Sequence, residues 1–161
     1  MFACTVAATQ GQAMSIDSTP STPAPLKTYL VEDSTVIRDN LIELLRETLP
    51  LEIVGTASNE TDLRTWLRDG AAPCDLVIVD IVLQGGSGLG VLAARSEFGA
   101  TGRWVVLSNH AIPEMRRKCL ELGADAVFDK SNEIEALLLY CKRLAGLDAM
   151  GDARNSLEAA L

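Results

Sequence analysis

The chain has 161 residues, of which 48% are hydrophobic and 4% aromatic, and its net charge is −8, from 22 acidic and 14 basic residues. This length fits one domain with a tail, and the apolar fraction suffices for a core of Leu, Val, Ile and Ala. The acidic balance argues against nucleic acid as a partner, because phosphate backbones bind basic surfaces.

The first 26 residues are mostly Thr, Ser, Pro, Ala and Gln, with Asp17 as the single charged residue. Such a segment cannot bury enough apolar surface to fold, so we predict a disordered arm over residues 1–26. It lacks the basic and apolar regions of a signal peptide, and no apolar run in the chain approaches the ~20 residues of a membrane-spanning helix. We therefore expect a cytoplasmic protein with no membrane insertion.

From residue 27 onwards, short apolar segments alternate with segments of helical periodicity. The predicted strands are KTYLV, LEIVGTA, DLVIVD, RWVVLS and DAVFDK. The predicted helices are DSTVIRDNLIELLRETL, NETDLRTWLRDG, GLGVLAARSEF, IPEMRRKCLELG and NEIEALLLYCKRLAGL. Asn59 is a candidate N-cap of the second helix, and Asn132 and Glu135 have the spacing of a capping pair on the fifth.

Strands as apolar as these are covered on both faces, which is typical of parallel sheets. Five βα units are too few for a (βα)8 barrel. We therefore predict an α/β fold, a flavodoxin-like doubly wound five-stranded parallel sheet of order 2-1-3-4-5 with five helices. The domain is expected over residues 27–147, followed by a short tail at residues 148–161.

Polar side chains stand at the carboxyl ends of four predicted strands. The first strand is followed by Glu32 and Asp33, the third ends at Asp80, the fourth at Ser108 and the fifth at Lys130. Open α/β sheets bring such ends together in one crevice, so the three carboxylates should converge. Clustered carboxylates repel one another, and Mg²⁺ relieves that repulsion. With a lysine and a hydroxyl opposite, this is a setting for phosphoryl transfer to a carboxylate, best placed at Asp80.

At these residues the chain resembles the receiver domains of bacterial two-component response regulators, including CheY-like stand-alone forms. The match runs from about Lys27 to Leu147 and includes the motifs VEDS, DIVLQGGSG, VVLS and FDKS in this order. The resemblance implies that Asp80 is the phosphoacceptor, Ser108 the switch hydroxyl and Lys130 the ion-pair partner of the phosphate. It implies that Mg²⁺ is bound by Asp33, Glu32, Asp80 and the backbone carbonyl of Val82.

The resemblance also implies partners for the chain. A histidine kinase or a histidine phosphotransfer protein would donate the phosphoryl group, and a downstream target protein would bind a face made by the fourth helix, fifth strand and fifth helix. Arg116, Arg117 and Lys118 form a basic cluster on the fourth helix, which is either a solvated helix face or a docking face. Val82 and His110 would flank the attacking water and tune the phosphate's lifetime.

Four positions depart from the usual residues of the family. Gln84 replaces a proline, Asn109 replaces a small residue, and Ser131 replaces a proline after Lys130, so a cis bond is not expected there. Val127 stands at the position of an aromatic switch residue, while Phe128 should point to the opposite side of the strand. None of these changes removes a group that phosphorylation needs.

Three functions follow from these residues. The favoured one is a stand-alone response regulator, because the segment after Leu147 is too short for an output domain. The alternative is a pseudo-receiver, a phosphorylation-independent protein-interaction module, which the departures from the family pattern leave open. A Mg²⁺-dependent phosphatase with an aspartyl nucleophile would need a general acid, and its natural position, 82, is valine.

Overall fold

The computed structural model describes residues 24–70, 73–83, 86–109 and 111–147. The predicted tail and residues 1–23 of the predicted arm lie outside these residues, as do Gln84 and His110. No helix in the described ranges is both long enough and apolar enough to cross a bilayer.

Five parallel strands form one sheet with a helix after each, as predicted. The strands in the described ranges are β1 (Leu26–Val31), β2 (Leu51–Ala57), β3 (Leu76–Val79), β4 (Val82–Leu83), β5 (Gly86–Ser87), β6 (Arg103–Ser108) and β7 (Ala126–Asp129). The five helices are α1 (Thr35–Thr48), α2 (Glu60–Arg68), α3 (Gly88–Glu97), α4 (Pro113–Glu121) and α5 (Ile134–Leu144). The order in the main sheet is β2-β1-β3-β6-β7, which is the predicted 2-1-3-4-5 once the small antiparallel pair β4–β5 is set aside.

Each central strand supplies apolar side chains to both faces of the sheet. In β3, Val77 and Val79 enter one core cluster, while Leu76 and Ile78 enter the other. All four are almost fully buried. The continuous apolar run before Asp80 therefore exists because helices cover the strand on both sides.

Side-chain caps fix where the first two helices begin. The hydroxyl of Ser34 accepts a hydrogen bond from the amide of Ile37 at the start of α1. The predicted cap at Asn59 is confirmed, since its side chain accepts from the amide of Asp62 at 2.8 Å. The Ser34 cap fixes the β1–α1 turn, which carries two of the predicted site carboxylates, at the carboxyl edge of the sheet.

The capping pair predicted for the last helix is wrong. Glu133 occupies the N-cap position of α5, and its side chain does not cap the helix. The carboxylate of Asp129 accepts from the amides of Ser131 and Asn132 at 2.7 and 3.3 Å. Because of this turn, α5 starts one residue later than predicted. The carboxylate of Glu133 is then available for contacts elsewhere.

The start of α3 lies directly against the end of β3. The amide of Gly88 donates to the carbonyl of Ile81 at 2.9 Å. A Cβ atom built on Gly88 would overlap the carbonyl oxygen of Asp80 and approach the Cα of Ile81 to 2.7 Å. Only glycine allows the helix to come this close to the strand end.

Replacing Gly88 should therefore destabilise the fold. We expect Gly88→Ala to lower the free energy of unfolding by about 1–3 kcal/mol, because the added methyl forces the backbone apart. Alanine is the better helix former, so any loss reports the steric overlap and not helix propensity. Urea denaturation followed by circular dichroism measures the difference.

Gly86→Ala is the matched control, because a Cβ at Gly86 would meet its nearest neighbour, Glu60, at 3.9 Å, an ordinary contact. Equal unfolding midpoints for the two variants would contradict the close approach at Gly88.

Candidate functional site

A pocket of about 220 Å³ opens at the carboxyl edge of the sheet. It contains all six residues predicted to bind metal or phosphate. The residues that line it are Glu32, Asp33, Ser34, Ile37, Asp80, Val82, Ser108, Asn109 and Lys130. The structure thus brings together side chains from the ends of four strands, while their chemical roles stay predictions.

The strand register explains why these residues meet. Val31 pairs with Val79 at the ends of β1 and β3, and the amide of Asp80 donates to the carbonyl of Val31 at 3.0 Å. On the other side, the amide of Lys130 donates to the carbonyl of Ser108 at 3.1 Å. Because the parallel strands end level with one another, the residues at these ends share one edge.

The ammonium group of Lys130 bridges two buried carboxylates. Its Nζ lies 2.8 Å from Glu32 Oε2 and 2.8 Å from Asp80 Oδ2. The side chains of Lys130, Glu32 and Asp80 are only 13%, 4% and 10% exposed. The charges are therefore screened weakly by water, and each depends on the others for compensation.

The remaining carboxylate oxygens accept hydrogen bonds from the backbone. Glu32 Oε1 accepts from the amide of Ser34 at 3.1 Å. Asp80 Oδ1 accepts from the amide of Val82 at 3.1 Å. Both side chains are thus oriented by the turns that follow their strands, which fixes the Asp80 carboxylate before any reaction.

Burial has opposite consequences for the acid and the base of this cluster. Burial raises the pKa of Glu32, and the nearby charge of Asp80 adds to that effect, even though Lys130 and the amide of Ser34 oppose it. Burial also disfavours the charge on Lys130, but the hydrogen bonds to Asp80 and Glu32 outweigh it and hold the lysine pKa above its ordinary value. The lysine is therefore a permanent cation of the site.

The acidic part of the site has the composition of a divalent-cation site. One oxygen from each of Glu32, Asp33 and Asp80 lies within 4.8 Å of the others. Asp33 is half-buried at the pocket, while the other two are buried. Clustered hard oxygen ligands near open solvent fit Mg²⁺, which retains several waters.

Of the positions where the chain departs from the receiver pattern, Asn109, Val127 and Ser131 are described in the structure, and Asn109 lines this pocket. Asn109 is exposed and its side-chain oxygen accepts a hydrogen bond from the hydroxyl of Ser131 at 3.4 Å. Val127 is half-buried against one core cluster, whereas Phe128 packs in the other and contacts Tyr140, with ring centroids 5.7 Å apart. Phe128 thus points away from the Val127 side, as expected from strand alternation.

The backbone around the site is regular. All peptide bonds in the described ranges are trans, including the bond between Lys130 and Ser131. The expectation that serine after the lysine removes a cis bond is therefore met.

The basic cluster on α4 does not form one exposed patch. Arg117 is 72% exposed, but the side chain of Arg116 is 32% exposed and is bonded to Glu133 at 2.7 Å. Sequence reasoning missed this pair because the two residues are 17 positions apart, one on α4 and the other at the N-cap of α5. The pair depends on how α4 packs against the start of α5, and the periodicity of the sequence does not indicate that packing.

Comparison with known proteins gives a family for this arrangement. A family model described as "Response regulator receiver domain" matches residues 28–142. Two curated relatives align over 118 residues, 73% of this chain. Protein-glutamate methylesterase/protein-glutamine glutaminase 5 of Myxococcus xanthus is 30% identical over 33% of its length. Nitrate/nitrite response regulator protein NarL of Escherichia coli is 31% identical over 54% of its length. The chain thus corresponds to about a third and about half of these two proteins.

Solved structures share the fold at lower identity. A LuxR-family DNA-binding response regulator from Staphylococcus aureus is 22% identical with a TM-score of 0.65, covering 74% of this chain and 98% of that one. The CheX–CheY–BeF3–Mg complex from Borrelia burgdorferi gives 20% identity and a TM-score of 0.65, covering 74% of this chain and 89% of that one. At these identities the likeness establishes the architecture alone.

Removing the lysine should expose the dependence of the two carboxylates on its charge. We expect Lys130→Met to lower the free energy of unfolding at pH 7 by about 3 kcal/mol, because it leaves buried carboxylates uncompensated. An acid whose pKa is raised by folding destabilises the folded state once the pH exceeds the ordinary pKa of that acid, which is 4.5 for Glu32. The deficit should therefore shrink as the pH falls towards 4.5, which urea denaturation at several pH values measures.

Lys118→Met is the control, because Lys118 is exposed on α4. Its unfolding free energy should follow that of the wild type at every pH. The loss of unfolding free energy in Lys130→Met is compared between about pH 5 and about pH 8. A loss of the same size at both pH values would show that it comes from packing and not from charge.

Proposed function

The chain belongs to the response regulator receiver domain family of two-component signal transduction, and on that premise we propose that it accepts a phosphoryl group on Asp80 in a Mg²⁺-dependent reaction. The donor would be a histidine kinase or a histidine phosphotransfer protein. The observation that supports this most is the Asp80 carboxylate, held at the end of the central strand between the ammonium of Lys130 and the backbone amide of Val82.

In the proposed reaction a carboxylate oxygen of Asp80 attacks the phosphorus of a phosphohistidine. The O–P bond of an acyl phosphate forms while the P–N bond to the donor imidazole breaks, and the imidazole leaves with the bonding electron pair. Lys130 would pair with the phosphoryl oxygens, and the hydroxyl of Ser108 would donate a hydrogen bond to one of them.

Glu32, Asp33 and Asp80 are the side chains that would hold Mg²⁺, together with the backbone carbonyl of Val82. When bound, the ion supplies positive charge that stabilises the transferring phosphoryl group. Glu32 and Lys130 already compensate each other in the structure. The site therefore presents both a cationic and an anionic side to the reacting group.

We propose that the output of this reaction is a change in protein binding. The acyl phosphate adds negative charge beside the ends of β6 and β7, which shifts a two-state equilibrium through Ser108. The face formed by α4, β7 and α5 would then bind a downstream target protein, with Arg117 and Lys118 exposed on it. The net charge of −8 supports a protein and not nucleic acid as that target.

The same proposal includes the setting in which the domain works. The chain would be a stand-alone regulator in the cytoplasm and would have no enzymatic activity beyond its own phosphorylation and slow dephosphorylation. Methylesterase activity and DNA binding are named for a relative and for a solved structure, and they are properties of those proteins.

Incubation with Mg²⁺ and a small phosphodonor, followed by intact-mass measurement, tests the phosphoacceptor role. We expect the wild type to gain one phosphoryl group, and chelation of Mg²⁺ to abolish the gain. Asp80→Asn should gain nothing, because the nucleophilic carboxylate is absent.

Asp75→Asn is the matched control. Asp75 precedes the same strand at its opposite end, where its carboxylate accepts from the amide of Lys27 at 2.9 Å. This variant should be phosphorylated like the wild type. A wild type that gains no mass would support the pseudo-receiver, and an Asp80→Asn variant that gains as much as the wild type would show that Asp80 is not the acceptor.

The lifetime of the phosphorylated state should depend on Val82. Its side chain is 55% exposed at the mouth of the pocket and cannot hydrogen-bond the attacking water. We therefore expect slow hydrolysis of the acyl phosphate in the wild type, and faster hydrolysis in Val82→Asn, because the amide can orient that water. The decay of the phosphorylated mass after removal of the donor measures both rates.

Val82→Ala keeps the position apolar and should leave the lifetime close to that of the wild type. A lifetime shortened by alanine and unchanged by asparagine would contradict the role of Val82. The parallel role of His110 lies outside the described residues and stays a prediction.

A further inference from the structure

The guanidinium group of Arg116 connects three separate segments of the chain. Its Nε donates to the carbonyl of Ala111 at 2.8 Å, and its Nη1 donates to the carbonyl of Val127 at 3.0 Å. Its Nη2 donates to Glu133 Oε2 at 2.7 Å. One side chain on α4 thus binds the loop after β6, the strand β7 and the start of α5. The planar fork of arginine suits this arrangement, since its donors point in fixed directions.

Both ends of this arrangement lead to groups that face the phosphorylation site. Ala111 lies three residues after Ser108 along the chain. Glu133 Oε2, which binds Arg116, also accepts from the amide of Asp129 at 2.7 Å, and Asp129 precedes Lys130. The amide of Lys130 donates in turn to the carbonyl of Ser108. Together with the covalent chain from Ser108 to Ala111, these hydrogen bonds form a ring that includes the backbone of Ser108 and of Lys130.

This ring lies beside the position where the resemblance expects an aromatic switch residue and the chain has Val127. Valine has neither the size nor a polar group to report a movement of Ser108. Arg116 binds the backbone carbonyl of Val127, so a side chain from α4 contacts β7 at the position where the aromatic residue is expected. The pair with Glu133 is half-buried, with side chains 32% and 35% exposed, and is not a freely moving surface pair.

We propose that Arg116 is the positioning residue that couples the phosphorylation site to α4, acting through Ala111 on one side and through Glu133 and Asp129 on the other. This inference rests on the proposed function, because it names how phosphorylation of Asp80 is transmitted. A displacement of Ser108 or Lys130 towards a phosphoryl group shifts two of the segments that Arg116 holds together. The guanidinium must then exchange partners or carry α4 with it, which changes the surface that bears Arg117 and Lys118.

Hydrogen exchange with mass spectrometry, with and without phosphorylation, tests the coupling on the full chain. In the wild type, phosphorylation of Asp80 should change the exchange of peptides from both the pocket and α4. In Arg116→Ala the pocket change should remain, while the change in α4 should fall about fivefold or more, the lower end of typical coupling between sites. The phosphorylation-dependent difference is the readout, because a merely structural role would alter exchange equally in both states.

Three further variants make the test specific. Arg117→Ala removes the same charge from the next position, where the side chain is exposed, and should keep the α4 exchange response of the wild type, which is measured without any target protein. Arg116→Lys keeps the charge but cannot bridge three acceptors, so it should restore little of the α4 response. Glu133→Gln leaves the carbonyl contacts of Arg116 intact and weakens the link to Asp129, so it should lose most of the response; it decides the question if Arg116→Ala does not fold.

The outcomes separate this inference from the proposed function. A mass gain on Asp80 with an α4 response in Arg116→Ala and Glu133→Gln as large as in Arg117→Ala overturns the coupling role and leaves the phosphoacceptor role standing. A wild type that is phosphorylated without any response in α4 overturns the coupling as well. Absence of the mass gain in the wild type overturns the proposed function, and the coupling falls with it.

Discussion

The ammonium of Lys130 makes two contacts of 2.8 Å, one with Glu32 and one with Asp80, and the surrounding sheet holds all three groups out of water. Two buried carboxylates this close to each other would otherwise repel each other without compensation. Their compensation by a single lysine requires that the ends of β1, β3 and β7 lie level at one edge of the sheet. The strand order, the registers and the short turns after each strand all serve this requirement.

The proposed phosphorylation would act on these same contacts. Asp80 has one oxygen on Lys130 and the other on the backbone amide of Val82, so both bonds come from donors that a phosphoryl group would compete for. Ser108 is almost fully buried beside this pocket, and its carbonyl binds the backbone of Lys130. Chemistry at the carboxylate and the position of β6 relative to β7 are therefore linked by a short path of hydrogen bonds.

The fold and the residues that meet at the pocket could be predicted from the sequence, because each depends on local patterns. Apolar strands at regular spacing predict the parallel sheet, and that sheet brings together whatever stands at its carboxyl edge, which is how Asp80 and Lys130 could be paired across 50 positions. Contacts between surface helices that are separated along the chain have no such pattern in the sequence. The bond between Arg116 and Glu133 depends on how α4 lies against α5 and on the Asp129 turn that moved the start of α5, and neither follows from periodicity.

The close approach at Gly88 makes the two halves of the pocket mechanically unequal. On one side the backbone of Asp80 is pinned between the carbonyl of Val31 and the first turn of α3, with no room for a single methyl group. On the other side, Ser108 and Lys130 belong to β6 and β7, and β7 is the last strand of the sheet. A displacement created by a group bound at Asp80 would therefore be taken up on the side of β6 and β7, where α4 and α5 contact the last strand.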